Sequence, residues 1–399
     1  MTTQYTTPPN TDTRTLTVEK LVAGGEGLCR QADGPVVFAA GVAPGDVIEG
    51  VPVREKGRWV MADWRLIAAG PGRVAPACRH AGVCGGCDWQ HLSRETLEAS
   101  KTELVRECLT RIGKIADPPV LPILSPKAWH GRNTVTWWVA EDNGRKRLAY
   151  RARASHDPVF FEECPVLTPA LYAHAVALNA APDALPETGR EVRARSNGNG
   201  DVADTLNGPP TLTVHLGGKD YRCGVPHFMQ SNLLSTDVLI GLLRDAMSAT
   251  PDAGTILDLY CGIGILGLSV LSDAQQLTGV EGDTEAIDRA RENALALGAD
   301  AQTEWLAEAV ESYVRANPDA SFDVAITDPP RNGMKPEVLA WLAAHVQQAI
   351  LYVSCDPATL ARDVGILSQN GWTLASVQPV DMFPQTSHVE CLAILKRSL

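Results

Sequence analysis

Ser354-Cys355-Asp356-Pro357 ends the apolar run Ala349–Ser354 and opens a segment with helical signals. Asp356 can cap that helix, Pro357 suits its first turn, and Asn370-Gly371 closes it. A thiol at this point would sit at the mouth of the crevice where parallel sheets bind ligands, in a field that favours thiolate. The commoner fate of a cysteine is that of a small buried hydrophobe, and Cys29, Cys108, Cys223, Cys261 and Cys391 are assigned to it. Downstream, Asp381-Met-Phe-Pro-Gln-Thr-Ser-His388-Val-Glu390 leads into a second apolar strand. A carboxylate opening such a strand is a candidate base; its plain alternative is a solvated strand end.

Asp258-Leu-Tyr260-Cys-Gly262-Ile-Gly264-Ile-Leu-Gly267 leaves a strand and enters a helix, and Glu281 ends the next strand 23 residues after Asp258. An acidic side chain there can accept both ribose hydroxyls. A lone glycine fingerprint is weak evidence, so NAD and S-adenosylmethionine stay comparable candidates beside a turn that serves only the fold. Asp328-Pro-Pro-Arg331 follows another buried strand. Arg331 stands where enzymes that methylate exocyclic amines usually carry a base-stacking aromatic, which points away from amine methylation.

These positions need a scaffold. Thr255–Tyr260, Leu277–Glu281, Phe322–Thr327 and Ala349–Ser354 read as buried strands, with a helix over Thr284–Leu297. Such alternation implies a doubly wound parallel sheet with helices on both faces. Leu374–Pro379 and Val389–Leu395 add an antiparallel pair. At the other end of the chain, Thr15–Val22, Gly34–Phe38, Asp46–Arg54 and Arg58–Ile67 are short strands between Gly, Pro and Asp turns, the pattern of a small OB-like barrel. Between them come a helix over Arg94–Ile112, a hairpin of Thr211–Leu216 and Tyr221–Val225 turned by Gly217-Gly218, and a loop over Ala180–Pro210.

The chain has 399 residues, 45% hydrophobic and 21% charged, enough for several domains with real cores. Met1–Thr13 is polar, with neither signal peptide nor anchor, and no apolar stretch reaches the ~18 residues of a membrane span. A soluble, cytoplasmic monomer is expected, and Cys78, Cys84 and Cys87 in a reducing compartment favour metal or catalytic chemistry over disulfides. The net charge of −12 divides into −1 for residues 1–70, +2 for 71–235 and −13 for 236–399. Bulk charge would therefore not bring the last third to nucleic acid. Lys127 to Arg153 is locally basic and carries Trp129, Trp137, Trp138 and Tyr150. It can hold phosphates and stack bases, though a solvated hairpin with a half-buried tryptophan pair is the plainer reading.

Taken together, DLYCGIG, VEGD, DPPR, SCDPATLARD and DMFPQTSHVE resemble the S-adenosylmethionine-dependent RNA uracil-C5 methyltransferases, in that family's order and spacing. Phe228-Met-Gln230-Ser-Asn232 is similar to its F-x-Q-x-N element. The resemblance runs from about residue 14 to the end and is greatest to the iron–sulfur, TRAM-containing branch that modifies 23S rRNA. It implies a multidomain α/β chain: a TRAM-like barrel at 14–70, a cluster-bearing central domain at 71–228 and a class I methyltransferase domain at 229–399. It implies Cys355 as nucleophile toward C6, Glu390 as the base for the C5 proton, and Gln230, Tyr260, Gly262, Gly264, Glu281 and Asp328 at the cofactor. Phe228, Arg132 and Arg331 are assigned to RNA. Cys78, Cys84 and Cys87, with Cys164, are assigned to a structural [4Fe–4S] cluster; spacing alone also allows zinc.

Two departures stand out. Ile265 follows Gly264 where the family often has Asn or Thr, and Glu308 is the sole guess for an adenine contact after the third strand. The expected substrate is a uridine in an unstacked loop of large-subunit rRNA. The alternatives are the tRNA T-loop uridine and a non-catalytic RNA-binding factor on the same fold.

Overall fold

The computed structural model describes residues 13–31, 33–206 and 211–397. Most of the polar leader Met1–Thr13, and the end of the expected 180–210 loop, lie outside them. The chain divides into two compact units.

The first unit holds a closed barrel of five strands: β1 (Arg14–Leu21), β2 (Gly27–Cys29), β3 (Val37–Ala39), β4 (Val47–Glu55) and β5 (Arg58–Ala68). Their order is β1-β2-β3-β5-β4. Alternating side chains such as Leu16, Val18, Ile48 and Met61 fill the interior. The expected strand at Gly34–Phe38 shrinks to three residues, and β2 is an additional one. Both are too short to show period-2 alternation.

Helix α1 (Arg94–Arg111) follows. Next come β6 (Thr134–Asp142), β7 (Arg145–Arg151), β8 (Pro158–Phe160), α2 (Pro169–Ala180), β9 (Glu191–Ser196) and β10 (Val202–Asp204); apart from Arg151, Pro158 and Val159, these residues belong to the second unit. β6 pairs antiparallel with β7 and β9, and β9 with β10. The expected loop over 180–210 is thus corrected: Val192 and Ala194 are buried in β9 despite their polar neighbours. β11 (Thr211–Leu216) and β12 (Lys219–Gly224) make the expected hairpin. Gly217 and Gly218, at φ 56° and 75°, supply the left-handed pair that a two-residue turn needs.

The rest alternates: α3 (Leu233–Ser248), β13 (Thr255–Leu259), α4 (Ile265–Val270), β14 (Gln276–Glu281), α5 (Thr284–Ala296), β15 (Thr303–Ala307), α6 (Val310–Ala316), β16 (Phe322–Thr327), α7 (Pro336–His345), β17 (Val346–Ser354), α8 (Pro357–Gln369), β18 (Trp372–Val380) and β19 (Glu390–Arg397). The sheet order is β15-β14-β13-β16-β17-β19-β18. The first five strands are parallel, and β19 pairs antiparallel with both β17 and β18. This is the class I methyltransferase arrangement. Chain order reverses on either side of β13, so the crevice beyond β13 and β16 is a topological switch point. Among the described residues, no helix is long and apolar enough to cross a membrane.

Candidate active site

β13 delivers Asp258 and then a turn in which Tyr260, Gly262 and Gly264 take φ of 61°, 53° and 81°. Glycine adopts the left-handed region freely; Tyr260 does so under strain, the kind that clusters at functional sites. A Cβ on Gly264 would lie 2.6 Å from the Trp305 ring, so the turn is packed as well as bent. Asp258 is buried and accepts the Gly267 N–H at 3.0 Å, which ties the strand end to the first turn of α4. Burial pushes its carboxyl up to about 8.

Glu281, at the end of β14, accepts the N–H groups of Gly262 at 3.2 Å and Asp283 at 3.0 Å. Its carboxylate is thereby held beside the glycine turn. Asp328, at the end of β16, receives the Gln230 amide N–H at 3.2 Å, and burial raises its carboxyl to about 7. A cleft of about 440 Å³ opens here, lined by Phe228, Met229, Gln230, Thr236, Asp258, Tyr260, Cys261, Gly262, Ile263, Ile265, Leu266 and Asp328. Apolar walls with a few aimed polar groups are what a nucleoside cofactor requires. The cleft brings together Gln230, Tyr260, Gly262 and Asp328 from the sequence reading, with Gly264 and Glu281 in the adjoining turn. Phe228 lies at the same cleft and is 65% exposed, available to stack.

A second group adjoins Asp328. Ser354 with Cys391 is the last pair between β17 and β19; Cys355 and Glu390 are the next residues beyond it, and the Glu390 carboxyl acts on the Cys355 thiol. Glu390 is buried, and among the described residues neither of its carboxylate oxygens has a hydrogen-bond partner. Burial, then the Asp328 carboxyl, raise its proton affinity far above the ordinary range, while Arg331 opposes them. Cys355 is half-buried. The thiolate-favouring field of the helix start meets opposition: burial first, then Glu390 and Asp328, push the thiol up to about 11, with Arg331 pulling the other way. The helix start itself is as expected, with Asp356 accepting the Ala358 and Thr359 N–H groups at 2.9 Å each.

Other expected residues fall elsewhere. Arg132 is half-buried, with its backbone bonded to Val166 and Thr168 and its charge acting on Tyr150 and Cys164. Glu308 does not line the cleft. Of the basic stretch, β6 and β7 form the plain hairpin: Trp137 is fully buried and stacks on Phe161, while Arg147 pairs with Asp142 and covers the Phe160 ring. Cys29, Cys108, Cys223, Cys261 and Cys391 are buried as expected.

The metal expectation does not find a site. Among the described residues no group of three or more His, Cys, Asp or Glu side chains is placed to hold a metal ion. Cys78, Cys84 and Cys87 are half-buried in the first unit, and Cys84 Sγ accepts the Gly86 N–H at 3.4 Å. Cys164 belongs to the second unit, where it accepts the Tyr150 hydroxyl at 3.4 Å. Sequence reasoning also passed over Met229, Thr236, Ile263 and Leu266 as cleft walls, because nothing separates a wall from a core residue before the fold is known.

Residues 194–398 match the family model for tRNA (uracil-5-)-methyltransferase. The chain is 32% identical to the 23S rRNA (uracil(1939)-C(5))-methyltransferase RlmD of Halomonas elongata, over 96% of this chain and 89% of that one. It is 31% identical to an uncharacterised RNA methyltransferase of Gloeobacter violaceus, over 97% of both. Among solved structures, the Pyrococcus abyssi tRNA (uracil-54, C5)-methyltransferase in complex with S-adenosyl-L-homocysteine is similar in fold. Its TM-score is 0.73 at 23% identity, covering 95% of this chain and all of that one.

Proposed function

The chain belongs to the tRNA (uracil-5-)-methyltransferase family of RNA uracil-C5 methyltransferases, and from that premise we propose that it methylates C5 of a uridine in 23S rRNA through a covalent bond between Cys355 and C6. This reading is supported by the end of the β17–β19 ladder: beyond its last pair, Ser354 with Cys391, come the Cys355 thiol and the buried, unpartnered Glu390 carboxyl, each acted on by Asp328.

C5 of uracil is a poor nucleophile. Attack of Cys355 Sγ on C6, with the thiol proton passing to solvent, moves the C5–C6 π pair toward O4 as an enolate and makes C5 nucleophilic. Gln230, Tyr260, Gly262, Gly264, Glu281 and Asp328 would hold S-adenosylmethionine, whose sulfonium would supply the methyl that C5 takes, with a neutral thioether as the leaving group. Glu390 then takes the C5 proton, the C5–C6 double bond re-forms, and the C6–S bond breaks with its pair returning to Cys355. Arg331 is the cation that stabilises the thiolate before and after. The base must leave its stack to reach this site, and Phe228 offers a ring to stack on. Arg132 is kept as a further RNA contact, on its basic neighbourhood alone.

The choice of 23S rRNA rests on the full-length likeness to proteins so named; the tRNA T-loop uridine is the runner-up. The chain works in three parts, a barrel at 14–70, a central part at 71–228 and the methyltransferase part at 229–399. The [4Fe–4S] expectation rests on cysteine spacing; among the described residues no group of three or more His, Cys, Asp or Glu side chains is placed to hold a metal ion.

The test uses 5-fluorouridine transcripts of a large-rRNA fragment and of a tRNA, with S-adenosylmethionine present. Fluorine at C5 cannot leave as a proton does, so a Cys355–C6 adduct should survive denaturing electrophoresis. An adduct on the rRNA fragment, absent in Cys355→Ala, is expected. An adduct on tRNA alone moves the substrate to the runner-up, and no adduct on either overturns the mechanism.

A further inference from the structure

Asp363 lies in α8, wholly buried, and has no part in the chemistry above. Its Oδ2 accepts the Tyr352 hydroxyl at 2.7 Å and the Met334 N–H at 2.9 Å. Its Oδ1 accepts Arg362 Nε at 2.7 Å. Arg362 Nη2 in turn donates to the backbone carbonyls of Asn332 at 3.0 Å and Met334 at 3.2 Å. One carboxylate therefore joins the strand that ends just before Cys355, the helix that begins just after it, and the loop that carries Asp328 and Arg331. The join is close-fitting. Gly333 sits at φ 69°, and a Cβ there would stand 2.5 Å from Arg362 Nη2 and 2.6 Å from Asp363 Oδ2.

We propose that Asp363, with Arg362 and Tyr352, is a positioning residue that fixes the Asp328–Met334 loop against the Cys355 strand and so sets where the Arg331 guanidinium stands relative to the thiol. The inference rests on the reading of Cys355 given above. A short loop leaving a strand through Pro329-Pro330 is pinned at its near end by β16. Its far end has no strand to hold it, and the Asp363 network supplies that anchor. Arg331, between the two ends, is the cation that acts on both Cys355 and Glu390, against the carboxyls of Glu390 and Asp328. Coulomb interactions in a partly buried site change steeply with separation, so an anchor that holds the guanidinium still also holds the ionisation of the thiol. Nothing in this role requires Asp363 to touch substrate.

The test is the pH dependence of Cys355 alkylation by iodoacetamide in the full chain, free of RNA and cofactor, followed on the Cys355 peptide by mass spectrometry. Asn at 363 has one acceptor oxygen where Asp has two, so either Met334 or Arg362 loses its partner. Asp363→Asn is expected to raise the midpoint by about one pH unit, an alkylation rate about tenfold lower below the midpoint. Arg331→Gln should do the same, and adding Asp363→Asn to it should produce no further shift. An unchanged midpoint in Asp363→Asn, or shifts that simply add, would overturn the proposal. Should Asp363→Asn not fold, Arg362→Gln keeps the carboxylate and removes the two carbonyl contacts from a side chain that is 44% exposed. It should raise the midpoint by a smaller amount, again only when Arg331 is present. The wild-type adduct on 5-fluorouridine RNA is scored separately: its absence, with the coupled shifts present, discards the reaction and retains the anchor.

Discussion

Gln230 donates its amide N–H to Asp328 at 3.2 Å, linking the segment before α3 to the loop after β16 across 98 residues. The bond favours the ionised carboxylate against a burial that disfavours it. It thus works toward the form that a positively charged ligand would select.

Replacing Gln230 by Leu leaves Asp328 buried without that donor. S-adenosylhomocysteine affinity, read by titration calorimetry, should fall about tenfold or more, the weight of one hydrogen bond to a charged group. Unchanged affinity would remove Gln230 from the cofactor site.

Glu390→Gln keeps the shape of the side chain and removes its proton-accepting ability. With ordinary uridine RNA, adduct formation and methyl transfer should proceed while release slows at least ~100-fold, the usual weight of a general base. The visible result is a protein–RNA species that builds up on denaturing gels without fluorine. Full turnover would end the role assigned to Glu390.

Stability should fall as pH rises above neutrality. Asp258 and Asp328 have folded-state values of about 8 and 7, above the 3.8 of the free carboxyl, so between these limits the folded chain binds more protons than the unfolded one. Stability carried by the protonated forms is full below the unfolded value and is lost as pH climbs through 7 to 8. His91 and His227, whose values are lowered, exert their opposite effect at or below the ordinary histidine range. Thermal melts from pH 7 to 8 should therefore show a declining midpoint, and Asp258→Asn, which retains an acceptor for Gly267, should flatten the decline. A flat wild-type profile contradicts the assignment.

Gly279 in β14 has no room for a methyl group: a Cβ there would lie 2.4 Å from the Trp305 ring. Gly279→Ala should cost about 1–3 kcal/mol by overpacking. Adding Trp305→Leu should recover part of that loss, because it vacates the space in question. Denaturant melts of the single and double variants decide it, and strictly additive losses would refute the packing account.

The alternating half was legible because its strands are buried on both faces and read as apolar runs: Phe322–Thr327 and its neighbours needed no partner to be seen. β9 was not legible, since Arg193 and Arg195 interrupt its inward residues, and Arg195 is itself buried by donating to the carbonyls of Gly224 and His227. Cys355 and Glu390 were each visible from motif and position. That they come together depends on strand register, which no local pattern encodes. The helix start beside the thiol was in the sequence, whereas the burial, and then the Glu390 and Asp328 carboxyls, that oppose it arrive only through tertiary packing.

The ladder between β17 and β19 has a consequence for how such a chain tolerates change. Positions in the two strands pair so that each step forward in one is a step back in the other, from Ala349 with Lys396 to Ser354 with Cys391. Insertions confined to the turn at Asn370-Gly371, between α8 and β18, would leave that counting untouched. A single residue gained inside β19, by contrast, would turn Glu390 to the opposite face of the sheet. Length variation in this region is thus partitioned, permissive in that turn and forbidden in the ladder, and a designer altering the chain has a rule for where to do so.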